Sequence, residues 1–386
     1  MFNNINLNQS LSSSLVNIDE KTRSNLFSWR GQFSPQLVEQ LILNYATEND
    51  VIFDPFLGSG TVLYESAQLG LTAYGSEINP AAVAFSKVYE LANHPRHEVN
   101  KALTQTNALI APYLYNEDVL DKMEEALLEK LHSVNCVVYK TLLMALITSM
   151  DFGTKKLTLK RACSVWDSLH TTVSSLPETN NRLTCYQADS RRVPLAENAI
   201  DFVITSPPYI NVFNYHQNYR KVVEKTGVDV LKVAKSEIGA NRKFRQNRFL
   251  TVVQYCMDMS QVFTELYRVC KSDAKVIFIV GRESNVKRTA FKNAELITAV
   301  AQITGFNLEG EQHRVFKNKF GEDIYEEILR FSLNDVVAKD TTEQAREIGR
   351  SALQKSLQYC GSEVASEITE AIEKSKFINV SPYLEV

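Results

Sequence analysis

Short apolar runs bounded by turn residues alternate along this chain with stretches of helical period. Val51-Ile52-Phe53 reads as a short buried strand, and Asp54-Pro55-Phe56-Leu57-Gly58-Ser59-Gly60-Thr61 as a turn into a helix ending near Gly70. Thr72-Ala73-Tyr74-Gly75 predicts a second strand. Asn79-Pro80 opens the next helix, with Asn as cap and Pro at its first position. Upstream, Leu37, Val38, Leu41 and Ile42 recur at helical spacing behind Ser34-Pro35 and predict a helix over 34–46. Strands resume at 183–187 and 202–205; a helix fits 254–270, a strand 275–281 and a helix 288–304. A terminal hairpin pairs 306–315 with 324–333.

The remaining segments carry weaker patterns. Residues 1–25 are polar and Asn/Ser-rich, and read as a loosely held arm. From about 95 to 178 the period is helical without clear strands, which marks an insertion. Residues 210–253 are polar and basic, while 339–376 alternate in charge and read as exposed amphipathic helix. Alternating strands and helices imply a mostly parallel sheet. Ligands in such sheets bind at the carboxyl ends of the strands. The Gly-rich turn, Glu77, Asp189 and Ser206-Pro207-Pro208-Tyr209 each fall just after a predicted strand, so one set of strand ends gathers them.

Composition narrows the chemistry. The chain has 386 residues and a formal net charge of -3, so nucleic-acid contact would have to come from local basic patches. Its six cysteines are scattered with no C-x-x-C pair, which argues against a zinc site or disulfide framework and fits a reducing cytoplasm. The N-terminus has no basic start followed by an apolar run, and no stretch reaches the roughly 18 apolar residues of a membrane span. The expectation is a cytoplasmic protein with no metal site and no membrane association.

In the first turn, Gly58 and Gly60 allow close backbone approach to a ligand, and the absence of G-K-[ST] argues against a triphosphate. Glu77 is placed to accept hydrogen bonds from two ribose hydroxyls, and Asp189 from an adenine amine. Two consecutive prolines stiffen the second turn, where Ser206 and the Pro207 carbonyl can accept hydrogen bonds from an amine and Tyr209 can stack on a planar base. Lys232, Lys235, Arg242, Lys243, Arg245 and Arg248 stand against one acid, Glu237, and form the candidate phosphate-contacting segment, led in by Asn211, Asn214, Tyr215, His216 and Gln217. Lys155, Lys156, Lys160 and Arg161 make a second basic cluster, and Arg314, Lys317 and Lys319 a third.

These motifs resemble the amino-methyltransferases that modify cytosine N4 or adenine N6 in DNA. Ser206-Pro207-Pro208-Tyr209 is similar to the family's motif IV, and Asp54 through Thr61 to its motif I. Glu77 and Asp189 stand where motifs II and III fall, and Phe27-Ser28-Trp29-Arg30-Gly31-Gln32-Phe33-Ser34-Pro35 resembles motif X, beside the methionine end of the cofactor. The resemblance implies an α/β Rossmann-like methyltransferase core with a mostly parallel seven-stranded sheet, an antiparallel terminal hairpin and a helical insertion. It implies S-adenosyl-L-methionine as cofactor, held by Phe33, Ser34, Asp54, Phe56, Gly58, Gly60, Thr61, Glu77 and Asp189. It further implies double-stranded DNA as substrate and a restriction-modification setting with a cognate restriction endonuclease. The corresponding division is an arm (1–26), a core (27–94 and 180–334), an insertion (95–179) that can serve target recognition, and a tail (335–386). Both 95–179 and 210–253 are candidates for reading the target. Serine at the head of motif IV favours cytosine N4, with adenine N6 the alternative; an RNA amine methyltransferase and a non-catalytic DNA-binding protein are further alternatives. The chain contains no Pro-Cys dipeptide, which cytosine-C5 chemistry typically uses for its nucleophile.

Overall fold

A computed structural model describes residues 1–18, 20–29, 31–210, 214–240, 244–318, 320–334 and 341–384. Its strands are β1 (Ile52–Asp54), β2 (Ala73–Glu77), β3 (Leu183–Gln187), β4 (Ile200–Thr205), β5 (Cys270–Gly281), β6 (Glu283–Val286), β7 (Thr289–Lys292), β8 (Phe306–Lys317) and β9 (Asp323–Leu333). Seven of them form one sheet in the order β3-β2-β1-β4-β5-β9-β8. The strands from β3 across to β5 pair in parallel, and β9 pairs antiparallel with both β5 and β8. This is the expected mostly parallel α/β sheet with a terminal antiparallel hairpin. The central strands are near-continuous apolar runs, as strands covered on both faces must be. Helices cover both faces and leave one apolar core on each side.

The chain runs outward from β1 to β3 and then returns to place β4 on the other side of β1. The strand order therefore reverses between β1 and β4, and their carboxyl ends open a crevice there. The helices Arg96–Leu114, Met123–Ser133, Val137–Met150 and Leu159–Ser174 build the helical insertion between β2 and β3.

Three local expectations are corrected. The N-terminal arm is not loose. Asn3 and Ile5 donate backbone hydrogen bonds to the Leu43 and Asn44 carbonyls, and Leu7, Leu11 and Val16 are buried. Arg330 on β9 is buried and donates from Nε to the Leu7 carbonyl at 2.5 Å, so the arm supplies an acceptor for a buried charge of the sheet. Residues 288–292 are not helical. The pair β6–β7 forms a two-residue hairpin with positive φ at Lys287 (46°) and Arg288 (66°), and the helix Asn293–Ile303 follows it. The C-terminal helices are amphipathic but not exposed ribs. Thr341–Ser356 packs along Leu250–Val269, and Ala345, Leu353, Ile368 and Ala371 are fully buried.

Gly349 lies where two of these helices approach closely: a Cβ there would lie 2.7 Å from the Val253 Cα. Two helix backbones approach at that point, and neither can yield as a flexible side chain does. Gly349→Val is expected to destabilise the chain by about 1–3 kcal/mol in urea unfolding. An unchanged midpoint would contradict this docking.

Candidate active site

The crevice at the β1–β4 reversal forms a cleft. Asp54 ends β1, and its Oδ1 accepts hydrogen bonds from Thr205 Oγ1 at 2.6 Å and from the Phe56 amide at 3.0 Å. Thr205 ends β4 and directly precedes Ser206, so this bond ties the two candidate turns together. Burial pushes the Asp54 carboxyl up to about 7, against the pull of the Thr205 and Phe56 hydrogen bonds. The turn closes at Gly60, whose φ is 92° and where a Cβ would lie 2.6 Å from the Tyr89 ring. Both the backbone and the space therefore require glycine there. The helix Thr61–Gln68 starts immediately afterward.

Glu77 ends β2. Its Oε2 accepts from the Gly58 amide at 2.9 Å and its Oε1 from the Asn79 amide at 2.7 Å. Burial pushes this carboxyl up to about 7 as well, against those two amide hydrogen bonds, with the nearby Asp54 and Glu237 adding to the rise. Among the described residues, no cation pairs with Asp54 or Glu77.

Glu77, Phe33, Phe56, Gly58, Thr61 and Asp189 line the cleft together with Ser206 and Pro208. Pro207 sits between the lining residues Ser206 and Pro208, while Asp54, Gly60 and Ser34 do not line the cleft: Asp54 and Gly60 support the first turn, and Ser34 precedes the helix Pro35–Tyr45. Phe33 is held against the first turn by Asn25, which donates to the Phe33 carbonyl at 2.7 Å and accepts from Thr61 Oγ1 at 2.8 Å.

Two side chains depart from their expected roles. The Asp189 carboxylate receives four N–H donors: the Arg191 amide, Nε and Nη2, and the Leu384 amide. An ionised carboxylate has about four acceptor positions, so none remains for an adenine amine, and what Asp189 offers the cleft is its fixed backbone. Tyr209 does not line the cleft. Its ring lies over Gly281, where a Cβ would be 3.1 Å away. Its hydroxyl is within hydrogen-bonding reach of Ser206, the Gly281 backbone and Glu326.

The basic candidates divide by burial. Lys232, Lys235, Arg245 and Arg248 are exposed, and no described carboxylate forms an ion pair with them. Lys232 and Lys235 ride on the helix Val230–Ser236, whose last residue lines the cleft. Arg242, Lys243 and Asn211 lie outside the described residues, as do Arg30 and Lys319. Lys155 sits 5.9 Å from the Tyr219 ring, which stacks on the cleft residue Trp29. This brings the insertion's basic turn toward the same rim. Arg314 is not a surface cation: it is buried and pairs with Glu326 at 2.9 Å. Lys317 pairs with Asp323 at 2.9 Å.

Sequence reading missed the wall contributed by Tyr215, Ser236, Glu237 and Ile238. Tyr215 stacks on Trp29, and its carbonyl accepts from Asn79 Nδ2 at 3.0 Å. The available signal was Glu237 itself, a single acid in a basic run.

The sequence family described as DNA methylase matches residues 3–88. The Type II methyltransferase M.MjaII of Methanocaldococcus jannaschii is 34% identical over 76 residues, 19% of this chain and 14% of that protein. M.AvaI of Nostoc sp., also a Type II methyltransferase, is 36% identical over 78 residues, 19% of this chain and 16% of its own length. M.BsoBI of Geobacillus stearothermophilus is 22% identical over 348 residues, 73% of this chain and 65% of that one. Among solved structures, a SAM-dependent methyltransferase from Methanosarcina mazei aligns with a TM-score of 0.35 and 10% identity, over 75% of this chain and 95% of that one. The chain is thus similar to DNA methylases over residues 3–88, and it spans less than a fifth of the length of M.MjaII and of M.AvaI.

The donor set of the cleft fits S-adenosylmethionine, the cofactor that the sequence motifs imply. Buried carboxyls without cations suit a cationic sulfonium ligand, and Glu77 carries acceptors for ribose hydroxyls at the cleft wall. Such a ligand favours the ionised form of Glu77, so binding releases protons. Affinity is therefore expected to rise with pH through about 7, by up to about tenfold per unit for one proton. Calorimetry at pH 6 and pH 8 checks this; Glu77→Gln should bind more weakly and flatten the difference. Equal affinity of the unaltered chain at both pH values would contradict the role given to Glu77.

Proposed function

We propose that this chain transfers the methyl group of S-adenosylmethionine to an exocyclic amine of a base in double-stranded DNA, with cytosine N4 the favoured target. The observation that carries this reading is that Ser206 and Pro208 line the same cleft as Glu77, across the β1–β4 reversal. A base amine and a bound nucleoside cofactor can meet there without a covalent enzyme intermediate. When bound, S-adenosylmethionine supplies an electrophilic methyl group on sulfur.

The chain's residues do the rest. Glu77, Phe33, Phe56, Gly58, Thr61 and the backbone at Asp189 hold the cofactor, with Asp54, Gly60 and Ser34 supporting that wall. Ser206 and the Pro207 carbonyl accept hydrogen bonds from the amine, drawing its lone pair out of conjugation with the ring and aiming it at the methyl carbon. Positioning and preorganised acceptors supply most of the rate. Pro208 stiffens the turn, and Tyr209 steadies it through its contacts with Ser206 and Gly281. A base inside a duplex cannot reach this cleft, so it must be flipped out. Lys232, Lys235, Arg245 and Arg248, with Arg242 and Lys243, are the candidate phosphate contacts that hold the duplex.

Ser206 at the head of the turn favours cytosine N4 over adenine N6. The names of the Type II relatives favour a restriction-modification setting with a cognate endonuclease. Mass spectrometry of nucleosides from treated DNA is expected to show N4-methylcytosine; N6-methyladenine would reassign the base, and no methylated amine would sink the proposal. Ser206→Ala is expected to lower turnover by about 100-fold or more while cofactor affinity stays near that of the unaltered chain. Loss of both in equal measure would contradict the role given to Ser206.

A further inference from the structure

Glu237 is the single acid in the basic segment 232–248 and is only 3% exposed. It lines the same cleft as Ser206, Pro208 and Glu77. Its Oε2 meets Nδ1 of His216 at 2.7 Å, and His216 is buried as well. Its Oε1 has no hydrogen-bond partner. A buried carboxylate oxygen left in that state is costly, and a donor entering the cleft would relieve it.

The segment carrying this oxygen rests on the amine-accepting turn. Gly239, two residues further on, touches it so closely that a Cβ would lie 2.9 Å from the Tyr209 carbonyl. On the other side, Asn79 binds the Tyr215 carbonyl at 3.0 Å, which fixes the residue before His216 beside the Glu77 loop. Glu237 is thus anchored between the wall that would hold the cofactor and the turn that would hold the base.

We propose that Glu237 is a catalytic residue, the acceptor of the proton that the target amine must lose, and that His216 is its positioning residue. The inference rests on the methyl-transfer reading given above. The amine nitrogen uses its lone pair to form the new N–C bond while the methyl–sulfur bond breaks and its electron pair returns to sulfur. Nitrogen is left cationic and sulfur neutral. One N–H proton then passes to Oε1 of Glu237, giving the neutral methylated amine and a protonated carboxyl. A hydroxyl and a carbonyl, which Ser206 and Pro207 supply, can orient the amine but are too weakly basic to keep that proton. The contact with His216 Nδ1 engages Oε2, which leaves Oε1 as the carboxylate oxygen without a partner.

The test is single-turnover methylation by the full chain, with saturating S-adenosylmethionine and unmethylated double-stranded DNA of high sequence complexity. Glu237→Gln keeps the shape and loses the base. Methyl transfer is expected to slow by about 100-fold, with S-adenosylmethionine affinity by calorimetry within about twofold of the unaltered chain. Formate added to Glu237→Ala is expected to restore part of the rate, which a merely structural role would not allow. His216→Asn is expected to slow transfer less than Glu237→Gln does. Full activity of Glu237→Gln, or a loss accounted for entirely by weaker cofactor binding, overturns the proposal and leaves amine methylation standing. If the unaltered chain methylates no base amine, both readings fall together.

Discussion

The hydrogen bond from Thr205 to Asp54 joins the ends of the two strands between which the sheet reverses. Everything proposed for the cleft depends on that junction. One residue past Asp54 begins the turn that would hold the cofactor, and one residue past Thr205 stands Ser206. The pairing of Ile52 with Phe202 and of Phe53 with Val203 fixes the register, and the 2.6 Å bond fixes the ends. A slip of one residue would turn each of these side chains to the opposite face of the sheet. The two turns are thus held at one separation by an apolar strand pair, not by flexible loops.

Electrostatics divide the buried acids into two groups. Asp189 has Arg191, and Glu326 has Arg314, so those charges are compensated inside the protein. Asp54, Glu77 and Glu237 have only neutral donors or a histidine. Burial raises the first two toward 7, the cost of holding a carboxylate out of water. A cationic ligand would offset that cost, and this is why the uncompensated acids support a sulfonium cofactor. The compensated group acts through structure. Arg191 carries the C-terminal segment through the Ser381 and Pro382 carbonyls, at 2.6 and 2.8 Å, while it locks Asp189.

The core of the fold was legible because its signals are local. Short apolar runs closed by Gly and Pro mark the central strands, and Asn79-Pro80 marks a helix start whose cap is formed as expected. The turn residues of the cleft followed from their position after those strands. What escaped depends on partners distant in the chain. A polar arm looks loose until Arg330, more than 300 residues away, is seen to need its carbonyls. Amphipathic period marks a buried face on Thr341–Ser356 but not the helix it docks against. The saturation of Asp189 depends on Leu384, which no local pattern brings near. Glu237 was visible as an odd acid, but its burial follows from the His216 pairing and the packing of Gly239 on the second turn.

The central claim is that the cleft passes a methyl group to DNA. It is tested most directly by incubating the chain with S-adenosylmethionine labelled in its methyl group, separately with double-stranded DNA and with transfer RNA, and following the label. The account predicts label in DNA, retained by the purified base on its exocyclic nitrogen, and none above background in RNA. Label in RNA alone, or at a ring carbon of the DNA base, would contradict it.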